Sequence, residues 1–303
     1  MRSSQSRPGG MFVTRRRIRP LPIVIAVGTI VLILYYVFQM SRGSTASAQP
    51  IALLPTEDFH ALAFGSAPDT VFFGHHNGLL ISHDLGVTWV KTTLTGADAM
   101  NVTTLLSQPQ RVYVSGHGIF YRSDDGGLTW STPAVTIQGT DIHGFTASSD
   151  DANRLYAFVA GQGIQTSTDG GLTWQLLPTD LGQVTALAAG RGATLYVGTS
   201  AEGVFESSDG GLHWARTGLN NAQITSLTVD QQTGDIYAAA LMGARSMLHR
   251  RVAGSTAWDL LPLDVGPIIA MTTGSVGGQT LLVINQRGQL FRSRDSGQTW
   301  GNG

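Results

Sequence analysis

Residues 167–174 read Ser-Thr-Asp-Gly-Gly-Leu-Thr-Trp, and this S-x-D-x-G-x-T-W octapeptide returns at a regular interval along the chain. Five copies keep both the acid and the tryptophan, and a sixth copy keeps only Trp258. Successive tryptophans are 41, 44, 40, 44 and 42 residues apart, so the copies mark six units of similar length. The acids and tryptophans of the five complete copies are Asp84 and Trp89, Asp125 and Trp130, Asp169 and Trp174, Asp209 and Trp214, and Asp295 and Trp300.

Each unit contains four short runs of apolar residues separated by turn-forming residues, which predicts four strands, A to D. In the fourth unit, strand A reads VTALAA at 184–189 and strand B reads TLYVG at 194–198. The octapeptide is the turn from strand C to strand D, where its Asp accepts backbone N–H groups and its Gly supplies a positive φ. Four-stranded units of this length are propeller blades. The sequence therefore predicts an all-β fold, a single six-bladed β-propeller of four-stranded blades over residues 51–303.

These repeats resemble those of the bacterial BNR/Asp-box propeller proteins, which are akin to sialidase-type, sortilin-type and photosystem II assembly propellers. The resemblance covers residues 51–300. It implies that the octapeptides, or Asp boxes, are structural and lie on the face opposite the ligand site. Some proteins of this group are labelled glycosyl hydrolases, and others are simply repeat-containing proteins.

The sixth unit ends three residues after Trp300, before a strand D of its own. Residues 52–57 read ALLPTE and parallel QLLPTD at 175–180, which is strand D of the third unit. We therefore expect residues 51–54 to pair with the strand that contains Phe291. This pairing would complete the sixth blade and remove two exposed sheet edges.

The N-terminal segment predicts a membrane anchor. Residues 1–20 hold six arginines and no acid, and residues 21–40 form a charge-free apolar run of 20 residues, long enough to cross a bilayer. The positive-inside rule makes residues 1–20 a cytoplasmic tail, 21–40 a single-pass transmembrane helix and 41–50 a linker to an extracytoplasmic propeller at the cell membrane. The alternative is a signal peptide cleaved near Ala48, which would leave the propeller secreted.

Composition excludes several classes of site and partner. The chain has no cysteine, which excludes disulfides, thiolate metal sites and a cysteine nucleophile. From residue 49 onward it carries 12 basic and 20 acidic residues, and this acidic balance argues against nucleic acid as a partner.

The resemblance to sialidase-type propellers does not extend to their chemistry. The Arg-Ile-Pro signature that such enzymes use is absent from the propeller, and the whole chain has only three glutamates. A different glycoside hydrolase remains an alternative, because two suitably spaced carboxyl groups suffice. Asp58 and Asp141 are its candidates, since both occur as D-x-H before a strand A. The simpler interpretation, which the sequence favours, is that each caps the turn from strand D to strand A.

Histidines are concentrated in the first three units. Five of the eight lie where strand A begins or in the loop from strand B to strand C, and these positions share one face of a propeller. The five are His60, His75, His76, His117 and His143. We expect them to gather at one side of the channel mouth, with Asp58 and Asp141 beside them. Two or three imidazoles with a carboxylate would bind zinc, copper or nickel; the same group would also suit a polar ligand or a water-lined channel mouth.

The sequence favours a binding or assembly scaffold over an enzyme. Its partner would be a protein or a glycan, held by the B–C and D–A loops on the face opposite the Asp boxes. The distinguishing feature is geometric: an enzyme should present two facing carboxyl groups in a pocket, whereas a binding module should present a broad polar or aromatic surface.

Overall fold

The computed structural model describes residues 48–301, apart from positions 135, 244 and 275–278. In these residues the chain forms 23 strands arranged in six antiparallel sheets. In chain order they are β1 (Ala52–Leu53), β2 (Ala61–Phe64), β3 (Val71–His75), β4 (Gly78–Ser82), β5 (Val90–Thr95), β6 (Asn101–Thr104), β7 (Val112–Gly116), β8 (Ile119–Ser123), β9 (Ile142–Ala147), β10 (Leu155–Val159), β11 (Gly163–Ser167), β12 (Gln175–Leu176), β13 (Val184–Ala189), β14 (Leu195–Thr199), β15 (Val204–Ser207), β16 (Ala215–Gly218), β17 (Gln223–Val229), β18 (Ile236–Met242), β19 (Arg245–Arg251), β20 (Asp259–Leu260), β21 (Ile268–Gly274), β22 (Thr280–Asn285) and β23 (Gln289–Ser293).

Each sheet is one blade, so the predicted six-bladed, all-β propeller is confirmed. Four consecutive strands form each of blades one, three, four and five: β2 to β5, β9 to β12, β13 to β16 and β17 to β20. Blade two contains β6 to β8, and blade six contains β21 to β23 together with β1.

The N-terminal strand β1 closes the ring. Ala52 pairs with Leu290, and Leu53 pairs with Gln289 on strand β23. Backbone hydrogen bonds extend the pairing on both sides, from Ile51 N to Leu290 O at 2.8 Å and from Leu54 N to the carbonyl of Gly288 at 2.9 Å. The prediction that residues 51–54 complete the sixth blade beside Phe291 is confirmed.

Blade two departs from the expected four strands. In place of its strand D, the structure has an isolated bridge in which Arg122 and Ser131 exchange two backbone hydrogen bonds. Pro133 follows two residues later and has no N–H group to extend the ladder.

The Asp boxes hold their turns by a repeated set of hydrogen bonds. In blade three, Asp169 accepts from Ser167 Oγ at 2.8 Å and from the backbone N–H and the hydroxyl of Thr173 at 2.9 and 2.5 Å. Gly171, at φ +93°, donates its N–H to Ser167 Oγ at 2.9 Å. Residues two and four positions apart are thereby tied together, which explains the fixed spacing of the octapeptide.

The same turns define the two faces of the propeller. Gly170, which precedes Gly171 in the Asp box, donates its N–H to the carbonyl of Asn153 in the A–B loop of its own blade, and Gly126 donates in the same way to Gln110. The Asp boxes and the A–B loops therefore share one face, here called the Asp-box face. Gly118 of a B–C loop donates to Thr140 of a D–A loop, and these two loop types form the opposite side, here called the loop face.

The core lies between neighbouring blades. The buried cluster around Trp174 of blade three also contains Tyr113 and Phe120 of blade two. The rings of Phe120 and Trp174 meet edge to face with centroids 6.4 Å apart, a favourable aromatic geometry. The tryptophan of one repeat thus packs against the strands of the preceding one.

The decayed fifth repeat replaces the Asp box with an arginine pair. Arg251 stands opposite Ile236, at the register position where the other blades have the box serine. Its guanidinium reaches Glu206 of blade four at 2.7 Å and lies over the Trp258 ring. Asp235 accepts from the N–H of Ala253 at 2.9 Å. This turn is thus held by the ion pair between blades four and five and by the carboxylate of Asp235 from the A–B loop.

The innermost strands of all six blades line a central channel. Towards the Asp-box face the channel holds a cavity of about 380 Å³. The side chain of Gln231, from the A–B loop of blade five, reaches blade two on the far side of the ring. There it accepts from Leu106 N at 3.0 Å and donates to Thr104 O at 3.2 Å.

The predicted cytoplasmic tail, transmembrane helix and most of the linker lie outside the described residues. Within residues 48–301, leaving aside the few omitted positions, no helix has the length and apolar character needed to cross a membrane.

Candidate functional site

Three adjacent blades contribute histidines and aspartates to one cluster on the loop face. His60 directly precedes β2, His76 lies in the tight turn from β3 to β4, and His117 lies in the matching turn from β7 to β8. His143 is the second residue of β9, and Asp141, just before it, forms a backbone bridge with His117.

The first half of the cluster is a triad of His60, His76 and Asp98. His76 Nδ1 lies 2.8 Å from Asp98 Oδ1 and 3.1 Å from His60 Nε2. His60 Nε2 and Asp98 Oδ1 are 3.7 Å apart. The side chains of His60 and Asp98 are each only 19% exposed, whereas half of His76 is open to solvent.

The second half is a triad of His117, Asp141 and His143. Asp141 Oδ1 lies 3.1 Å from His117 Nε2 and 2.9 Å from His143 Nε2. The two histidine nitrogens are 3.3 Å apart, with their rings in an edge-to-face arrangement. All three side chains are between 40% and 48% exposed.

Asp98 joins the two triads. Its Oδ1 belongs to the first triad, and its Oδ2 lies 2.6 Å from His117 Nδ1. His117 therefore donates its Nδ1 proton to Asp98 and directs Nε2 toward the second triad. Burial of Asp98 would raise its pKa, but hydrogen bonds from His76 and His117 outweigh this effect, and its pKa is lowered.

Two glycines allow the loop with Asp98 to pack against its neighbours. A Cβ atom at Gly116 would lie 1.9 Å from the backbone carbonyl oxygen of Asp98, and one at Gly74 would lie 2.4 Å from that of Ala99. The backbone N–H of Ala99 donates to His75 O at 3.1 Å. Close backbone approach at the ends of β3 and β7 thus places Asp98 between the histidines.

His75 and Asp58 form a separate pair beside the first triad. His75 Nδ1 is 3.7 Å from Asp58 Oδ1 and accepts a hydrogen bond from Asn77 N at 3.3 Å. The His75 ring stacks on Phe73 with centroids 5.8 Å apart. Asp58 also accepts from the hydroxyl of Thr56 at 2.8 Å, as expected for a residue that caps its turn.

Burial sets the protonation of the less exposed histidines. It lowers the pKa of His60, and the neighbouring His76 lowers it further. It also lowers the pKa of His75. Both imidazoles are therefore neutral at neutral pH, the form that can ligate a metal or accept a hydrogen bond.

The structure brings together four of the five predicted histidines and one of the two predicted aspartates. Asp98 is not among the residues predicted from the sequence, because it lies outside the D-x-H pattern, in which the acid lies two residues before a histidine. The available signal was an acid in the D–A loop between the units that supply His76 and His117.

The comparison with known families agrees with the repeats. The model of the BNR/Asp-box repeat matches residues 121–132 and 165–176, which span the turns of Asp125 and Asp169. The chain is a six-bladed propeller that carries BNR/Asp-box repeats. No curated protein matches its sequence.

Solved structures similar to this Asp-box propeller include enzymes and a peptide-binding protein. The GH74 enzyme of Niastella koreensis is 16% identical, with a TM-score of 0.61 over 84% of this chain and 46% of the enzyme. The GH74 xyloglucanase of Xanthomonas campestris is also 16% identical, with a TM-score of 0.58 over 83% of this chain and 46% of the enzyme. YCF48 bound to D1 peptide is 18% identical, with a TM-score of 0.52 over 82% of each chain. This chain spans about half the length of the GH74 enzymes, and at these identities the likeness establishes the fold alone.

Proposed function

We propose that the protein is a membrane-anchored, extracytoplasmic binding or assembly scaffold whose loop face takes a protein or glycan partner. The observation that carries this proposal is the polar, partly exposed cluster of four histidines and two aspartates, which lies on the face opposite the Asp boxes. A broad polar surface of this kind suits recognition of another macromolecule.

The arrangement of carboxyl groups supports binding over hydrolysis. Among the described residues that line the channel cavity, Asp230 is the single acid, and it accepts hydrogen bonds from Gln232 N and Thr233 N of its own loop. Asp58 and Asp141, the carboxylates of the glycoside hydrolase alternative, each lie beside different histidines. A glycoside hydrolase needs two carboxyl groups free to act on one glycosidic bond.

Solved propellers of similar fold are compatible with either kind of partner. YCF48 was solved with a bound D1 peptide and matches 82% of this chain over 82% of its own length. The GH74 xyloglucanase is named for a glycan substrate, but this chain matches less than half of it. The match over most of both chains favours a peptide or protein partner.

The predicted anchor would place this surface outside the cytoplasm. Residues 21–40 would cross the membrane, and the six arginines before them would remain inside. In the alternative, cleavage near Ala48 would release the same propeller. The binding proposal holds in both cases, because the loop face belongs to the propeller.

Cross-linking and capture from membranes with the full chain test the proposal. The loop-face variant is Asn77→Arg, in the turn from β3 to β4, with Met242→Arg, at the exposed end of β18, and both positions lie outside the histidine cluster. Its matched control is Leu128→Arg with Leu172→Arg, two exposed Asp-box positions on the other face. We expect the loop-face variant to lose the captured partner at least tenfold and the control to retain it.

Two outcomes would contradict the proposal. One is that the loop-face variant captures as much partner as the unaltered chain while the control captures less. This result would mean that the binding surface is the Asp-box face. The other is release of sugars from a panel of glycans by the full chain and its loss in Asp141→Asn, which would support the glycoside hydrolase alternative.

A further inference from the structure

The donor atoms of both triads are spaced as the ligands of one small cation. Each triad offers two imidazole nitrogens and one carboxylate oxygen, all within 4.8 Å of one another. Ligands at about 2.0–2.2 Å from a tetrahedral zinc ion lie roughly 3.3–3.6 Å apart. The measured separations are 2.8, 3.1 and 3.7 Å in the first triad and 2.9, 3.1 and 3.3 Å in the second.

The second triad brings three potential ligand atoms to one point. Because His117 Nδ1 faces Asp98 Oδ2 at 2.6 Å, Nε2 is the ring nitrogen that faces Asp141 and His143. A bound cation would be coordinated by all three atoms at once.

Asp98 occupies a position that serves both triads. Its Oδ1 faces His60 and His76, while its Oδ2 fixes the tautomer of His117. In many metal sites, the histidine nitrogen that does not bind the metal donates its N–H to a carboxylate, which orients the ring.

We propose that the loop face binds two divalent transition-metal ions, one held by His60, His76 and Asp98 and the other by His117, Asp141 and His143. Asp98 ligates the first ion and positions His117 for the second. This inference does not depend on the partner proposed above, because it concerns the ions themselves.

The donor set selects the class of ion. Two imidazoles and one carboxylate suit zinc, copper or nickel, whereas calcium and magnesium prefer sites built wholly from oxygen. Three protein ligands leave at least one coordination position free, and the exposure of His76, His117 and His143 directs that position to solvent. Each ion could therefore accept a donor atom from a partner or a small ligand.

Calorimetric titration of the metal-free full chain with zinc chloride tests the proposal. We expect two ions per chain and an increase in melting temperature. His76→Asn and His143→Asn should each bind one ion. Asp98→Asn should lose the first ion and bind the second about 10- to 100-fold more weakly, since removal of such an orienting carboxylate has effects of that size.

The chain supplies a matched control for surface histidines. His213 replaces the usual threonine of the fourth Asp box, is 90% exposed and lies beside Asp209 on the other face. His213→Thr restores the repeat consensus and should still bind two ions. A melting temperature within a few degrees of the unaltered chain in the absence of metal checks that each variant folds.

Several results would overturn the proposal. Fewer than one ion per chain, or stoichiometry unchanged in His76→Asn and His143→Asn, would show that the triads are not the sites. A single ion lost in both variants would mean one shared site rather than two. Displacement of zinc by millimolar calcium or magnesium would reject the assignment to transition metals.

Discussion

At the scale of single residues, one carboxylate organises each Asp-box turn without being buried. Asp169 gathers its serine and threonine partners and the backbone of the turn around its two oxygens. Hydrogen bonds from the side chain and backbone of Thr173 and from Ser167 lower the pKa of Asp169 to about 2. The ionised form is therefore the one that the fold stabilises.

This lowered pKa predicts an acid-sensitive contribution to stability. Because the pKa of Asp169 is lower in the folded chain than its unfolded value of about 3.9, its contribution is present above pH ~4 and is lost as the pH falls towards 2. Asp169→Asn should lower the melting temperature at pH 7, and the difference from the unaltered chain should shrink between about pH 4 and pH 2. Thermal unfolding of both chains across this range measures it.

A second Asp box supplies the check. The pKa of Asp125 is also lowered to about 2, first by the hydroxyl of Thr129, so Asp125→Asn should follow the same curve. A melting-temperature difference that stays constant down to pH 2 in both variants would contradict the assignment.

Residue roles were predictable where contacts are local. The roles of Asp169 and Gly171 follow from turn chemistry, because every partner lies within four residues. Asp98 was not predictable in this way. Its partners His76 and His117 belong to two different blades, and its position depends on the room left by Gly74 and Gly116. The sequence indicates which histidines share a face but not which acid lies between them.

At the scale of elements, the short strand β1 does more than its two residues indicate. It covers the edge of β23, and Leu54, which follows it, is buried in a cluster with Leu290 and with Phe73 of blade one. The chain therefore joins its first and last blades through one strand. The parallel between residues 52–57 and 175–180 made this closure predictable.

The absence of a strand D from blade two was not predictable. Strand D is only two residues long in blades three and five, so its sequence pattern is too short to distinguish a strand from an isolated bridge.

Deletion of residues 49–56 should destabilise the propeller. It exposes the edge of β23 and removes the buried Leu54 together with the partly buried Ile51. Loss of about 3 kcal/mol of apolar burial would lower the melting temperature by roughly 6–12 °C. Thermal unfolding of the deleted and unaltered chains measures this.

A matched deletion separates closure from shortening. Removal of eight residues from the predicted cytoplasmic tail, positions 2–9, leaves β1 intact and should keep the melting temperature of the propeller. If deletion of residues 49–56 is equally harmless, β1 does not stabilise the ring.

At the scale of the whole molecule, the two ends of the channel differ. Strand A begins at the loop face, where the histidines and aspartates of blades one to three lie, and ends at the Asp-box face. At that second end the Gln231 side chain joins blades five and two, which stand opposite each other in a ring of six. Six blades could be counted from the repeats, but this contact could not, because it joins residues 125 positions apart.

Gln231 should therefore protect one backbone amide on the far side of the ring. In Gln231→Ala, Leu106 N loses its acceptor and Thr104 O loses its donor. Leu106 is 46% exposed, so water can replace the lost partner and the cost should be near one ordinary hydrogen bond, about 1 kcal/mol. We expect amide hydrogen exchange at Leu106 to become about fivefold faster, with little change at Val114 in the same blade.

Gln231→Glu distinguishes the hydrogen bond from simple loss of bulk. The glutamate keeps an oxygen for the N–H of Leu106 but has no N–H for the carbonyl of Thr104. Exchange at Leu106 should therefore stay close to that of the unaltered chain, while Gln231→Ala exchanges faster. Equal exchange at Leu106 in all three chains would mean that blades two and five are not joined across the channel in solution. Faster exchange throughout blade two would instead show that Gln231 supports the whole sheet, because the effect would then extend beyond the amide it contacts.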